Sequence, residues 1–373
     1  MKPSPANRTM TSRERVALAL AHQESDRVPI DYWGSSEITG RLLKRFGFSS
    51  LEQLLTHFDV DFRYIAGPRY IGPEPEVHAD GSVEDHFGVP RVRVSVGAGE
   101  KAGAYMEAGN YPLAGAQSVE EVRAYPKWPS PDWFDYAPVR EQVAEARATG
   151  KVVVFMGDRL NRCAQLKPGM YLRGVEQILL DLVEKPEIAE YIFGRLTEFY
   201  LEYARRTFEA AGGGLDLFMT GDDFGTQRGL FMSPEMWRRF LRPGFEAFVQ
   251  LGKRYGCQVA HHSCGSIQPI IPDLIECGLD ILNPIQPEAR DMPCAELKQR
   301  FGQRLCFHGS LSIQQTLPFG TPEEIRNEVR DRFETLGPGG GFIFCTAHNI
   351  QPDTPLSNVE ALFEAYRDLG RYD

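Results

Sequence analysis

No stretch of the chain is long and apolar enough to cross a bilayer, and the opening MKPSPANRTMTSRERV lacks the apolar core that directs export. A cytoplasmic protein with no membrane partner is the expectation. Basic residues are outnumbered, 41 Lys and Arg against 51 Asp and Glu, for a net charge of −10. Nucleic-acid binding needs a basic face to neutralise phosphates, so that class is set aside. No glycine-rich phosphate loop follows an early strand, and there are no evident repeats or low-complexity tracts. Cysteine is sparse and scattered, seven residues from Cys163 to Cys345. That spacing excludes a disulfide framework and predicts free thiols in a reducing compartment.

What is present suffices for a large core: 42% of residues are hydrophobic and 11% aromatic. After the capping box Thr11-Ser12-Arg13-Glu14 and its helix, a rhythm of short apolar run, polar loop and amphipathic helix continues to the C-terminus. The apolar runs are Val28–Trp33, Asp61–Ile65, Val152–Met156, Leu215–Thr220, Cys257–His261, Leu279–Asn283, Leu305–His308 and Gly341–Cys345. Helical patterns include Leu51–His57, Pro186–Ala211 (one bent helix or two), Pro234–Tyr255, Ile267–Cys277, Cys294–Phe301, Pro322–Leu336 and Asn358–Leu369. Eight strands alternating with helices predict an α/β protein, a TIM (β/α)8 barrel, with an open doubly wound sheet as the alternative. Residues 68–131 break the rhythm and contain a hairpin pattern turning at Asp80-Gly81. They read as an insertion over the barrel mouth of one domain spanning 1–373.

In such barrels chemistry sits at the C-terminal ends of the strands. The residues that follow the apolar runs there are Asp158-Arg159, Asp222-Asp223, His262-Ser263-Cys264, Asn283 with Gln286, His308, and Cys345 with His348 and Asn349. Asp222, Asp223, His308 and His348 are the candidate catalytic groups. Arg159, Asn283, Gln286 and Asn349 are the candidate substrate contacts. For Asp222-Asp223 the competing reading is helix capping; for His308 it is support of a metal ligand or a structural role. The glycine runs at 212–214 and 337–341 precede strands and read as helix-ending turns.

The sharpest constellation is His262, Cys264 and Cys345. Residues i and i+2 of an extended chain project to one side, so His262 and Cys264 can approach one ion, with Cys345 arriving from the last strand. One imidazole and two thiolates suit Zn2+, and three protein ligands leave a position open for substrate. The bland alternative makes both cysteines small core residues and His262 a hydrogen-bonded mouth residue.

Ser12-Arg13-Glu14-Arg15-Val16 with Asp26-Arg27-Val28-Pro29, and the stretches HHSCGSIQPIIPDLIECGLDILNPIQP, FHGSLSIQQTLPFGTPEEI and GGGFIFCTAHNIQPDTP, resemble the uroporphyrinogen decarboxylase superfamily. The resemblance implies a TIM barrel. Its decarboxylases carry an arginine-rich first-strand loop, whereas this loop reads Tyr32-Trp33-Gly34-Ser35-Ser36-Glu37 with no arginine before Arg41. The site pattern is similar to the cobalamin-dependent methyltransferase branch, whose His-x-Cys and distant Cys bind zinc and match His262, Cys264 and Cys345. That branch implies methyl transfer between a methylcorrinoid (methylcobalamin carried by a small corrinoid protein) and a thiol or similar small-molecule acceptor in one-carbon or demethylation metabolism. It also implies pairing as a homodimer. A metal-free decarboxylase using Asp222 or Asp223 with Arg159 or Arg173, and a non-catalytic corrinoid- or tetrapyrrole-binding module, remain as alternatives.

Overall fold

The computed structural model describes residues 10–96, 103–157 and 161–372. Among the described residues, parallel strands alternate with helices along the chain. This is the α/β architecture of a (β/α)8 barrel. The chain divides into two compact units. One holds Met1–Arg63, Ala146–Val152 and Asp280–Asp373, and the other holds Tyr64–Glu145 and Val153–Leu279.

In the first unit the strands Ile281–Asn283, Cys306–His308 and Phe342–Ile343 pair in parallel, with Ile281 opposite Cys306 and Phe307 opposite Phe342. The expected first strand, Val28–Trp33, is not a continuous ladder strand. It is tied by single bonds instead: Phe344 N–H donates to Pro29 O, Asp31 N–H to Phe344 O, and Asp61 N–H to Ile30 O. The reason is local. Pro29 has no N–H, and Ile30 N–H donates to the Asp61 carboxylate where a ladder would use a main-chain carbonyl. Asp61, wholly buried, also binds Arg15, Arg27 and Ser12, and Arg15 reaches back to Asp26. The SRERV and DRVP motifs therefore meet on one carboxylate. Thr11 caps the helix Ser12–Leu20 with a complete capping box, as the sequence predicts.

In the second unit Leu217–Gly221 and Gln258–His262 run parallel, with Met219 opposite Ala260, and the part of the strand Val152–Phe155 from Val153 onward joins them, with Phe155 opposite Phe218. Pro186–Ala211 is one helix of 26 residues, which Pro186 opens and the left-handed Gly212 (φ 60°) ends. Its Ile188, Ile192, Leu196, Phe199 and Tyr203 recur at helical spacing and are buried. The pattern at Pro234–Tyr255 is two helices, Pro234–Phe240 and Arg242–Arg254, because Pro243 cannot continue the first and is accommodated in the opening turn of the second. Likewise Ile267–Cys277 divides into a 3-10 turn, Gln268–Ile270, and the short helix Ile271–Glu276. Segment 68–131 carries antiparallel pairs in place of βα units. Val83–Glu84, Pro90–Val96 and Gly103–Ala108 form a three-stranded sheet, and Gly81 (φ 82°) takes the expected turn.

All seven cysteines are free. Among the described residues no helix is long and apolar enough to cross a membrane.

Candidate active site

The second unit concentrates its chemistry where Leu217–Gly221 and Gln258–His262 end side by side, with Gly221 opposite His262. Alternation sends the paired histidines to opposite faces of their strand. His261 stacks on Phe224 (5.0 Å between ring centroids) and bonds the Thr220 hydroxyl through Nδ1 at 2.8 Å. Burial pushes it down to about 3, so it stays neutral and belongs to the core. His262 takes the other face, where its Nε2 lies 3.5 Å from Cys264 Sγ.

The loop after His262 is held from three sides. Ser263 Oγ accepts Phe224 N–H, Asp223 Oδ1 accepts Cys264 N–H at 3.0 Å, and Ser266 N–H donates to Thr226 O. Gly265 sits at φ 88°, and a Cβ there would lie 2.6 Å from the Gly225 backbone. Only glycine satisfies both constraints.

The two aspartates divide as adjacent strand residues must. Asp222 is 4% exposed, and its carboxylate accepts the N–H groups of Gln165, Leu166 and Lys167 at 2.6–2.7 Å. Those donors open the helix Leu166–Arg173, whose N-cap residue Gln165 provides no side-chain cap. Asp222 thus caps a helix distant in sequence, with burial raising its carboxyl to about 6 against three N–H donors that favour the ion. Asp223 faces the His262 side: Lys167 Nζ lies 3.0 Å from Oδ2, and His262 Nε2 lies 3.8 Å from Oδ1. Burial would raise this carboxyl, but His262 and Lys167 together pull it well below the usual carboxylate range.

The donors of His262 and Cys264 fit a zinc ion. Bonds of about 2.0 Å to nitrogen and 2.3 Å to sulfur at a tetrahedral angle put the two donors about 3.5 Å apart, as found, at 3.5 Å. Burial pushes the Cys264 thiol up to about 12, so ligation requires a cation strong enough to displace its proton. Cys345 belongs to the other unit. There it is buried, its thiol raised well above the usual range by burial and by Asp31.

In that first unit Asp31, His308 and Cys345 are gathered, their donor atoms all within 4.8 Å of one another. Asn283 is wholly buried and donates through Nδ2 to His308 O, bracing neighbouring strands. Gln286 is buried, whereas His348 and Asn349 are half-buried. The carbonyl oxygens of His348 and Asn349 accept from Thr346 Oγ1 and Gln351 Nε2. Arg159 lies outside the described residues. Arg173 is 1% exposed, paired with Asp181 and bonded to the carbonyls of Leu113, Ala114 and Ala116. It is committed to holding the chain and has no hold on a substrate carboxylate.

Sequence reasoning passed over Asp31, Lys167 and Trp33. An acidic residue inside the apolar run VPIDYW was the available signal for Asp31. Lys167 carries no such signal, because it meets Asp223 only through the fold.

Fold and site together define an α/β barrel protein with a soft-donor pair at a strand end. The family described as uroporphyrinogen decarboxylase (URO-D) matches residues 116–369, and the chain belongs to it. A methylated-thiol–coenzyme M methyltransferase of Methanosarcina mazei is 27% identical over 205 residues, 54% of this chain and 51% of the relative. A uroporphyrinogen decarboxylase of Thermus thermophilus is 30% identical over 182 residues, 47% of each chain. The chain therefore spans about half the length of the curated relatives it matches. A solved methyltransferase from Methanosarcina mazei shares the fold, with TM-score 0.64 at 20% identity over 96% of this chain and 99% of that one.

Proposed function

We propose that this protein is a zinc-dependent methyltransferase that moves a methyl group between a methylcorrinoid and a thiol or similar small acceptor. The observation that carries this reading is the His262–Cys264 pair, an imidazole and a thiol 3.5 Å apart on one strand end with Asp223 beside both. Similarity to a methyltransferase that acts on methylated thiols supports it.

His262 and Cys264 would hold the zinc. When bound, zinc provides a Lewis acid that lowers the pKa of a thiol. The protein's own task is positioning. Asp223 fixes the main chain of Cys264 and sits against His262, while Lys167 fixes Asp223. The corrinoid would arrive on a small partner protein.

The decarboxylase relatives favour a second reading, a metal-free decarboxylase. Against it, Arg41, the first arginine after Tyr32, donates to Pro352 O in this structure, and Arg173 is enclosed. Elemental analysis of purified protein with a methylcobalamin-to-thiol assay tests the proposal. The expected result is that Cys264→Ala loses about one zinc per chain and methyl transfer together. Carboxylate-substrate turnover that survives chelation would replace it with the second reading.

A further inference from the structure

Asp31 and His308 have no part in the zinc ligation proposed above, yet they share their surroundings with Cys345. Three neighbouring segments bring them together: His308 is paired with Ile343, and Ile30 bridges Phe344. All three side chains are buried, at 3%, 1% and 2% exposure. His308 Nε2 is 3.2 Å from Asp31 Oδ2 and makes no hydrogen bond.

We propose that Asp31, His308 and Cys345 form a divalent-cation site of the zinc class within one unit, independent of His262 and Cys264. The inference goes beyond the methyltransferase reading, because it gives Cys345 a second set of partners whether or not methyl transfer occurs. A carboxylate oxygen and an imidazole nitrogen on one tetrahedral ion, each about 2.0 Å from it, stand about 3.3 Å apart; the pair here stands at 3.2 Å.

The carboxylate is already oriented. Asp31 Oδ1 accepts Tyr32 N–H, and Oδ2 accepts Trp33 Nε1–H at 3.1 Å. Bonds of this kind to a ligand's outer side are a regular support of metal sites. Trp33 and Phe62 pack on the His308 ring, at 5.7 and 6.0 Å between centroids, and keep it in place. Beside the cluster lies a small cavity bounded by Asp31, Trp33, Cys345, Thr346 and Phe363.

A purely structural pair would leave a buried imidazole nitrogen facing a carboxylate at a geometry that makes no hydrogen bond, which is costly. A cation between them relieves that cost. One nitrogen, one sulfur and one oxygen favour zinc, cobalt or cadmium over calcium and magnesium, which take all-oxygen shells.

The test is a Co2+ titration of the metal-free full chain, followed by the thiolate-to-cobalt charge-transfer absorption. In His262→Ala/Cys264→Ala the expectation is one Co2+ per chain with thiolate absorption. Adding Cys345→Ser removes that absorption, and adding Asp31→Asn or His308→Ala weakens binding about tenfold or more. A double variant with the wild-type thermal midpoint that binds no Co2+, or binds it without thiolate absorption, overturns the proposal. Should the double variant not fold, Cys264→Ser serves in its place, with Cys345 as the thiolate donor. Asp31→Asn added to it must then weaken binding, and unchanged affinity overturns the proposal. Failure of the methyltransferase reading appears separately, as zinc-loaded wild type that transfers no methyl group.

Discussion

Asp223 Oδ1 accepts the main-chain N–H of Cys264 at 3.0 Å while standing 3.8 Å from Nε2 of His262. One carboxylate oxygen thus touches the His-x-Cys motif at its main chain and faces its imidazole. Asp222, one residue earlier, is turned to the opposite side and holds a helix start. Two adjacent residues of the same type therefore do different work, and substitutions should separate them.

Asp223→Asn keeps an acceptor for Cys264 N–H but removes the charge that faces His262 and Lys167. Zinc affinity should fall about 10-fold or more with little change in thermal midpoint. Competition with a chromophoric chelator measures this, and unaltered affinity would remove Asp223 from the site.

Asp222→Ala leaves three N–H groups at the start of the helix Leu166–Arg173, two of them buried, without their acceptor. The expected loss is about 2–4 kcal/mol, read as a lower urea midpoint. Asp222→Asn should lose distinctly less, since one oxygen remains as acceptor. Equal losses would show that the cap contributes through its charge alone.

Gly265→Ala places a methyl group against Gly225 and imposes a left-handed conformation on a residue that resists it. About 1–3 kcal/mol of strain follows, together with weaker zinc binding because Cys264 adjoins the strained residue. Calorimetry and metal titration on the same sample would detect both. A variant with normal stability would show that the loop relaxes freely.

Acid sensitivity should centre on the Arg15 network. Burial opposes ionisation of Asp26, but its hydrogen bond and proximity to Arg15 hold the carboxyl below its ordinary value. A depressed folded-state pKa contributes stability that is complete above the unfolded value near 4 and is lost as the pH falls through the folded one. Asp26→Asn should therefore flatten the acid limb of a urea-midpoint profile and leave its slope near neutrality unchanged. Arg15→Met, which strips a partner from the wholly buried Asp61, should cost about 3 kcal/mol at neutral pH.

Chelation of the wild-type protein should abolish methyl transfer without unfolding the chain, because the core is extensive and does not depend on His262 or Cys264 for its packing. Circular dichroism and activity recorded together, before and after zinc is restored, check this. Activity that persists in metal-free protein would remove zinc from the mechanism.

Much of this protein was legible in the chain alone. Period-two and period-3.6 patterns are set by local geometry, so the alternation of strands and helices, the capping box at Thr11 and the helix end at Gly212 could be read directly. The His262-x-Cys264 pairing was equally local, since two residues apart on a strand means one face. Boundaries depending on a single proline were less legible: Pro243 divides a helix whose apolar pattern runs on unbroken, and Pro29 spoils a ladder in an otherwise ordinary apolar run.

The roles of individual polar residues came only with tertiary structure. Asp222 and Asp223 are indistinguishable by type and neighbourhood in sequence. Which of them caps a helix depends on where residues 165–167 arrive, 55 or more positions away. Asp31 and His308 likewise lie far apart along the chain, and only the pairing of their segments sets them 3.2 Å apart. Sequence determined which chemistry was available, because donor types and local periodicity are properties of the chain. Tertiary structure decided which donors share a site, because that depends on long-range strand register and on which face of each strand is turned inward.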